Sequence, residues 1–388
     1  MSVGVPLRLA FTFIPRELWA GGYNYQRNLF VALHKYRGGE ITPVIFAGTA
    51  DDPEDLSRLL EIPDVEVVQA SAFDHRRSGL AAAVTFGLDH TAVNAFRDRG
   101  IDVVFESARF FGWRLPFPAV AWFPDFQHRR LPQLFSPWAR WHREIGFRMQ
   151  IASARAIMLS SESARRDCQR FYSVPADRTF VVRFATQPAP ALLAAEPRDV
   201  IKHYGVPSRY FYLPNQFWRH KNHQVVVDAL TILAKRGVDA VVVASGNKDD
   251  ARDPNYFAGI MRQVQERNLQ EKFRYVGMIP LPHVFALLRG SIALINPSRF
   301  EGWSTTVEEA KSFGVPMVLS DLEVHREQAA GTARYFGTDD PVALADHLAD
   351  AVKDPELVAT RHLVLDLDAR VSRFAADFVH TIRRALRG

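Results

Sequence analysis

A chain of 388 residues is longer than one hydrophobic core usually fills, so two domains of roughly 150–200 residues each are expected. Its 47% hydrophobic and 23% charged residues are those of an ordinary folded protein, and no apolar run reaches the ~20 residues of a membrane-spanning helix. A single cysteine, Cys168, excludes an intramolecular disulfide and a cysteine-based zinc site, while the formal charge of +5 accommodates phosphates or anionic lipid without requiring nucleic acid.

The opening MSVGVPLRLAFTFIP has no basic segment ahead of its apolar stretch and no small-residue cleavage site, so Leu7–Phe13 reads as a first strand and not a signal peptide. With the lone cysteine this points to a cytoplasmic protein. Tyr23–Tyr36 reads as a helix, with Leu29, Leu33 and Tyr36 on one face. ITPVIFA, VEVVQA, IDVVFE, PAVAWF and RAIMLS follow as near-continuous apolar runs, the pattern of parallel strands covered on both faces. The Pro- and Ala-rich stretch Gln187–Pro197 marks a boundary. Beyond it the alternation resumes with Tyr210–Pro214, Asp239–Ser245, Phe273–Gly277, Ile292–Pro297 and Pro316–Ser320 as strands and Gln224–Arg236 as a helix; Arg370–Arg387 reads as a final amphipathic helix. The expected organisation is α/β, two doubly wound Rossmann-like domains (1–190 and 191–369) facing across a cleft, with 370–388 packing back on the first. Ligands of such sheets bind at the carboxyl edges, so the cleft is the expected active site.

The sharpest signal is INPSRFEGWSTTVEEAKSFGVPMVLSD. A strand ends at Asn296-Pro297, a turn carries Phe300, Glu301, Gly302 and Trp303, and a helix runs from Ser304 to Gly314, a good C-terminal residue. The first N–H groups of that helix, at Ser304, Thr305 and Thr306, suit a diphosphate. Glu301 lies before the helix start and Glu309 about a turn inside it, and carboxylates accept hydrogen bonds from sugar hydroxyls. A charged helix start with a solvated Glu is the plainer reading of the same residues.

Other strand ends carry further candidates. Lys221, in LPNQFWRHKNH, reads as a surface lysine or as a fixed cation for a leaving nucleoside diphosphate. His128, with Asp125 close by, lies in the loop after PAVAWF, and Glu106 ends IDVVFE, where an acceptor ligand and a structural carboxylate are equal readings. Gly21-Gly22 follow the first strand and allow close backbone approach to a ligand, with Asn24 and Tyr25 adding contacts; the pair is not G-x-G-x-x-G, so a nicotinamide dinucleotide is not indicated. Arg129–Arg170 contains nine Arg and three acidic residues, with Trp138, Trp141 and Phe147 interleaved. Two readings stay open for it: a helix with a basic outer face, and peripheral contact with an anionic membrane beside a lipid-linked acceptor. Asp366-Leu367-Asp368 is formally D-x-D, but no third ligand stands near it in sequence, so it reads as surface or helix capping and no metal or other cofactor is expected.

Glu301, seven residues and Glu309, set within P-S-x-x-E-G…E-A…G-x-P, resembles the E-x7-E motif of retaining GT-B glycosyltransferases, most closely glycosyltransferase family 4. The resemblance covers nearly the whole chain but is specific only in the second domain. It implies that Glu301 contacts the transferred sugar, that Glu309 contacts the nucleotide ribose, and that His128 lies near the reacting centre. Lys221-Asn222 matches a K-N found in the family. The family also carries an Arg five or six residues earlier, where this chain has Asn215 and Gln216, so Arg219 or His220 would supply the second cation, or the two amides suffice. Ser304 and Thr306 replace the usual Gly and Pro inside the motif. The implied donor contacts are Gly21, Gly22, Asn215, Gln216, Arg219, Lys221, Gly277, Glu301, Gly302, Trp303, Ser304, Thr305, Thr306 and Glu309, the implied catalytic residues His128, Lys221 and Glu301, and the implied acceptor contacts Asn24, Tyr25, Glu106 and Asp125. The activity implied is retaining transfer of a sugar from a nucleoside-diphosphate sugar, GDP-mannose leading, to a glycan or lipid-linked hydroxyl in surface-polysaccharide (O-antigen, lipopolysaccharide) synthesis, in the cytoplasm at the inner face of the membrane. A nucleotide-sugar epimerase on the same fold and a non-catalytic nucleotide-sugar-binding subunit are the alternatives.

Overall fold

The apolar runs pair as parallel strands in two separate sheets. In a computed structural model the described residues are 5–74, 82–107, 109–354 and 367–387. They divide into two units, one running to Ala185 and taking in the C-terminal helix from Asp368, the other Thr186–Leu367.

The first unit contains, in chain order, β1 (Leu7–Thr12), α1 (Arg16–Arg37), β2 (Ile41–Ala47), α2 (Pro53–Leu60), β3 (Glu66–Gln69), α3 (His90–Asp98), β4 (Val103–Glu106), β5 (Ala119–Phe123), α4 (Gln127–Arg130), α5 (Pro137–Ser153), β6 (Ala156–Leu159), α6 (Glu162–Tyr172) and β7 (Thr179–Val181). The strand order β3-β2-β1-β4-β5-β6-β7 reverses direction between β1 and β4. Phe11 lies opposite Ile45 on one side and Phe105 on the other. Its ring meets Phe30 of α1, and burying each such side chain contributes roughly 1.5–3 kcal/mol.

Helix α1 begins seven residues before the predicted Tyr23 because the chain coils at Arg16, breaks at Trp19 (φ −153°, ψ 84°) and then resumes. The broken residue lets the Trp19 indole fold back along the helix. A Cβ on Gly22 would sit 2.4 Å from Trp19 Cε3, which explains that glycine by packing.

The second unit contains α7 (Pro197–His203), β8 (Phe211–Leu213), α8 (His223–Lys235), β9 (Val242–Ala244), α9 (Tyr256–Glu266), β10 (Phe273–Tyr275), α10 (Leu281–Gly290), β11 (Leu294–Asn296), α11 (Thr305–Phe313), β12 (Met317–Ser320), α12 (Glu323–Ala329), β13 (Arg334–Phe336) and α13 (Pro341–Lys353). Its order is β10-β9-β8-β11-β12-β13, with the reversal between β8 and β11. The final helix α14 (Leu367–Arg387) is part of the first unit from Asp368 on. Its Phe378 packs on Phe11 and Phe105, and Arg383 pairs with Glu40 at 2.7 Å. Asp368 of the D-x-D is held by Lys35 at 2.8 Å and by the Tyr36 hydroxyl; Asp366 lies outside the described residues.

Candidate functional site

The reversal between β8 and β11 leaves a crevice at the carboxyl ends of the strands, where ligands of open α/β sheets bind. The loops leaving these two strands carry Asn215–Asn222 and Pro297–Ser304. Residues 80 positions apart in sequence therefore meet: Lys221 Nζ donates to Glu301 Oε1 at 2.6 Å, and both side chains are largely buried. Burial alone would push the Glu301 carboxyl up, but the Lys221 charge and the hydrogen bonds from Lys221 and Ser298 hold it down at about 2. Both of these bonds land on Oε1; among the described residues no donor is bonded to Oε2.

Lys221 is aimed by Asn222. That residue takes a left-handed conformation (φ 58°), which Asn tolerates better than most residues, and turns the chain from the 3-10 turn Arg219–Lys221 into α8. Its Nδ2 donates to the Pro297 and Thr338 carbonyls at 3.1 and 2.8 Å, tying the lysine turn to the loop that carries Glu301. Asn296, fully buried at the end of β11, joins the rest. Its amide nitrogen donates to Ser304 Oγ (2.9 Å) and its Oδ1 lies 2.7 Å from the Ser298 hydroxyl, which donates to either this oxygen or Glu301.

The start of α11 is only partly open. Gln328 Oε1 accepts the Ser304 N–H at 3.1 Å and Gln328 Nε2 donates to the Ser304 carbonyl at 2.7 Å. The predicted diphosphate contact through the Ser304 N–H is thus corrected: a side chain already occupies it. Thr305 and Thr306 start the helix with no side-chain cap, and their N–H groups have no acceptor within the helix. Gly302 is buried in the turn and Trp303 is half-buried. The adjacent glutamates separate cleanly. Glu308 is buried and bonded to Lys311 (2.8 Å) and Gln328 (3.0 Å). Glu309 is half-buried, no donor among the described residues is bonded to it, and burial pushes its carboxyl up to about 8.

Gln216 is also placed differently from expectation. Its Oε1 accepts the Asn247 N–H at 2.5 Å, and Phe217 N–H donates to the Asn247 carbonyl at 2.9 Å, so this side chain fixes a neighbouring loop. The loops are close enough that a Cβ on Gly246 (φ 142°) would lie 2.5 Å from the Asn215 carbonyl. Asn215 is buried, its Nδ2 3.4 Å from Asn296 Oδ1, and Gly277 accepts the Gly246 N–H at 3.0 Å. Arg219 points outward, 68% exposed and 3.6 Å from Asp253. His220 is buried and desolvation lowers it to about 3, so it is no cation at neutral pH.

Three residues that sequence reasoning passed over lie next to residues of this site. Lys248, beside Asn247, is exposed and has no carboxylate partner among the described residues. Gln328 secures the helix start. His325 is fully buried, its Nδ1 donating to the Ser320 carbonyl at 2.9 Å, which leaves a bare Nε2 without a partner. Lys248 lies between Asn247 and Asp249, His325 between Val324 and Arg326, and Gln328 between Glu327 and Ala329, with no motif or spacing to single them out.

The first-unit candidates are mostly enclosed. Tyr25 is buried, stacked on Trp122 at 4.1 Å, and Trp19 stacks on Trp122 at 5.6 Å. Its predicted acceptor contact does not fit that burial. His128 is not a loop residue facing a ligand: its ring is fully buried, edge-on to Phe147, with Nε2 3.1 Å from the Tyr172 hydroxyl and 3.3 Å from Glu144. Desolvation lowers it to about 4. Glu106 is buried at the end of β4, accepts the Phe111 N–H at 3.2 Å, and is pushed by burial up to about 8. Asp125 is half-buried and accepts the Gln127 N–H at 2.9 Å, whereas Gly21 and Asn24 are exposed on α1.

Residues 205–362, which hold the Lys221–Glu301 pair, match the family model described as glycosyl transferases group 1. The chain is similar to O-antigen chain mannosyltransferase B of Escherichia coli, 25% identical over 209 residues that make up 52% of each protein. It thus spans about half the length of that curated relative. Among solved structures, sucrose-phosphate synthase from Thermosynechococcus elongatus aligns with a TM-score of 0.68 at 17% identity, covering 98% of this chain and 97% of that one. Anabaena HepE in complex with UDP and glucose aligns with a TM-score of 0.68 at 14% identity, covering 98% and 100%. These two likenesses show the fold. Through residues 205–362 the chain is thus similar to the glycosyl transferases group 1 family, and its two-unit α/β fold is that of the GT-B class.

Proposed function

We propose that this chain is a retaining, family-4-type glycosyltransferase that moves mannose from GDP-mannose to a hydroxyl of a glycan or lipid-linked oligosaccharide in surface-polysaccharide synthesis. The observation that carries the reading is the Lys221–Glu301 pair at the reversal point of the second sheet, beside the uncapped N–H groups of Thr305 and Thr306. The name of the Escherichia coli relative supports mannose and O-antigen.

In this reading Lys221 turns its charge toward the departing diphosphate, and the Thr305 and Thr306 N–H groups bind the same phosphates. Glu301, ionised and with Oε2 open, accepts from sugar hydroxyls. Glu309, with no partner of its own, takes the ribose. Lys248, exposed next to Asn247, is assigned as the second cation, since Gln216 is committed to Asn247. No metal is assigned a step, so activity should persist in excess chelator.

The test is transfer with the full chain, GDP-mannose and a mannosylated acceptor, with the product linkage read by NMR. The expected product keeps the α configuration of the donor. An inverted linkage would remove the retaining assignment. Absence of transfer from every GDP-, UDP- and dTDP-sugar tried would remove the function. Isomerisation of donor in the absence of acceptor would identify an epimerase instead.

A further inference from the structure

Helix α12 carries a buried base with one nitrogen unused. His325 is fully enclosed, and its Nδ1 lies 2.9 Å from the Ser320 carbonyl and 3.2 Å from the Ser320 hydroxyl oxygen. That hydroxyl donates to the Ser298 carbonyl at 2.6 Å, so its proton is committed there. The hydrogen of the neutral ring therefore sits on Nδ1, where the Ser320 carbonyl accepts it, and Nε2 presents a lone pair. Among the described residues that buried nitrogen meets no donor. An anchor for the end of β12 needs only Nδ1, and an asparagine would supply it, so the enclosed Nε2 calls for a separate reason.

The ring is tied to the Lys221–Glu301 pair. Ser298, whose carbonyl takes the Ser320 hydroxyl, offers its own hydroxyl to Glu301 at 2.7 Å. Burial disfavours a proton on His325; Glu301 favours it and Lys221 opposes it, so both charges of the pair act on this ring. The other titratable groups around it are neutral or committed. His220 and His223, flanking Lys221, are buried and uncharged at neutral pH. Glu308 and Lys311 of α11, which packs on α12, pair with each other at 2.8 Å. On α12 itself Glu323 and Arg326 are exposed and Glu327 is half-buried, and Arg326 is bonded to Asp321 at 2.8 Å.

Without ligand the pair balances one cation against one anion. A bound nucleotide sugar adds its diphosphate and draws the Lys221 charge away from Glu301. Negative charge then exceeds positive in a largely enclosed site, where charges interact more strongly than in water. A neutral imidazole beside them is the group able to restore the balance by accepting a proton.

We infer that His325 is a positioning residue that takes one proton from solvent onto Nε2 when the donor diphosphate binds, and so keeps Glu301 ionised and in place after Lys221 turns to the phosphates. The inference rests on the sugar-transfer reading. No other bond is made or broken. The sign follows from linkage: a group whose proton affinity rises on binding makes binding tighter at low pH, and this advantage is lost as pH rises through the pKa of the bound form.

The test is calorimetric titration of GDP-mannose into the full chain between about pH 6 and 8, in buffers of low and high ionisation enthalpy, with wild type and H325N. H325N keeps a donor for the Ser320 carbonyl but holds no titrating ring; an unchanged melting temperature would confirm it intact. Wild type should take up about half a proton to one proton per donor bound, and its affinity should fall about three- to tenfold per pH unit. H325N should take up at least about half a proton less and lose most of that pH dependence. In wild type alone, the 13C-labelled His325 ring, assigned through its backbone correlations, should titrate at higher pH with donor bound than without, a readout that stands even if H325N fails to fold. Equal proton uptake in the two proteins, or a ring titration unmoved by saturating donor, would overturn the inference and leave the sugar-transfer reading intact. Binding of none of GDP-mannose, UDP-glucose and dTDP-glucose would remove both.

Discussion

Lys221 and Glu301 form a buried ion pair, 2.6 Å between Nζ and Oε1, that exists because β8 and β11 are neighbours at the point where the second sheet reverses. A buried pair is costly to break from one side, since the survivor is an uncompensated charge; about 3–5 kcal/mol is typical. The same two groups are assigned to the ligand, so single variants confound folding with function. K221A should both destabilise the chain and reduce transfer by about 10²–10³-fold. K221A/E301Q removes both charges; it should regain most of the stability in urea unfolding while transfer stays lost. Recovery of transfer with stability would make the pair purely structural.

Gln328 holds the start of α11 through two bonds to Ser304 and one to Glu308. Q328A leaves the buried Ser304 N–H unpaired, at a cost of about 1–3 kcal/mol, while the Ser304 carbonyl keeps the Glu308 N–H at 3.2 Å. Because Gln328 acts by positioning the helix start, the expected kinetic effect is a raised KM for donor with kcat changed much less. A fall in kcat alone would place Gln328 in some other role.

The pH dependence of stability follows from two carboxyl groups. Glu106 and Glu309 keep their protons to about 8 in the folded chain but release them near 4.3 when unfolded. Between these values the folded state binds more protons, so these groups stabilise at low pH and their contribution is lost as pH rises through 8. Buried His128, His220 and His223, lowered to about 4, 3 and 3, act oppositely, but only below the unfolded histidine pKa near 6.5. From pH 6.5 to 8 the carboxyls dominate. The urea midpoint should fall across this window, and E106Q and E309Q should each flatten the slope. A slope unchanged in both variants would show that other groups set it.

Lys248 is assigned to the diphosphate. K248A should weaken GDP-mannose binding by about tenfold at low salt, and the deficit should shrink as salt screens an exposed cation. Unfolding should be unaffected, because among the described residues Lys248 has no ion-pair partner to lose. Equal affinity of K248A and wild type at low salt would leave the second cation to another residue.

Much of the scaffold was legible because parallel strands covered on both faces must be apolar throughout, and runs such as ITPVIFA stand out. Lys221 and Glu301 were legible as strand-end residues, since strand ends are where a doubly wound sheet exposes polar groups. The two adjacent glutamates could have been separated in advance: Lys311 lies three residues from Glu308, the spacing of a helical ion pair, which leaves Glu309 unpaired. Gln216 was not legible, because its partner Asn247 is 31 residues away on a loop with no periodicity. His128 shows the same limit. Its position after a strand suggested an open loop, but a single turn of helix turns the ring inward onto Phe147 and Tyr172. Helix α1 started early because the break at Trp19 hides the continuity that apolar spacing alone would reveal.

The central claim, that the β8 and β11 loops hold a nucleotide sugar, is tested most directly by calorimetric titration of GDP-mannose into wild type and into folded K221A/E301Q. Wild type should bind one equivalent, saturating on the order of micromolar to millimolar, and the double variant should bind at least about 100-fold more weakly. Equal affinity in the two proteins would contradict the account.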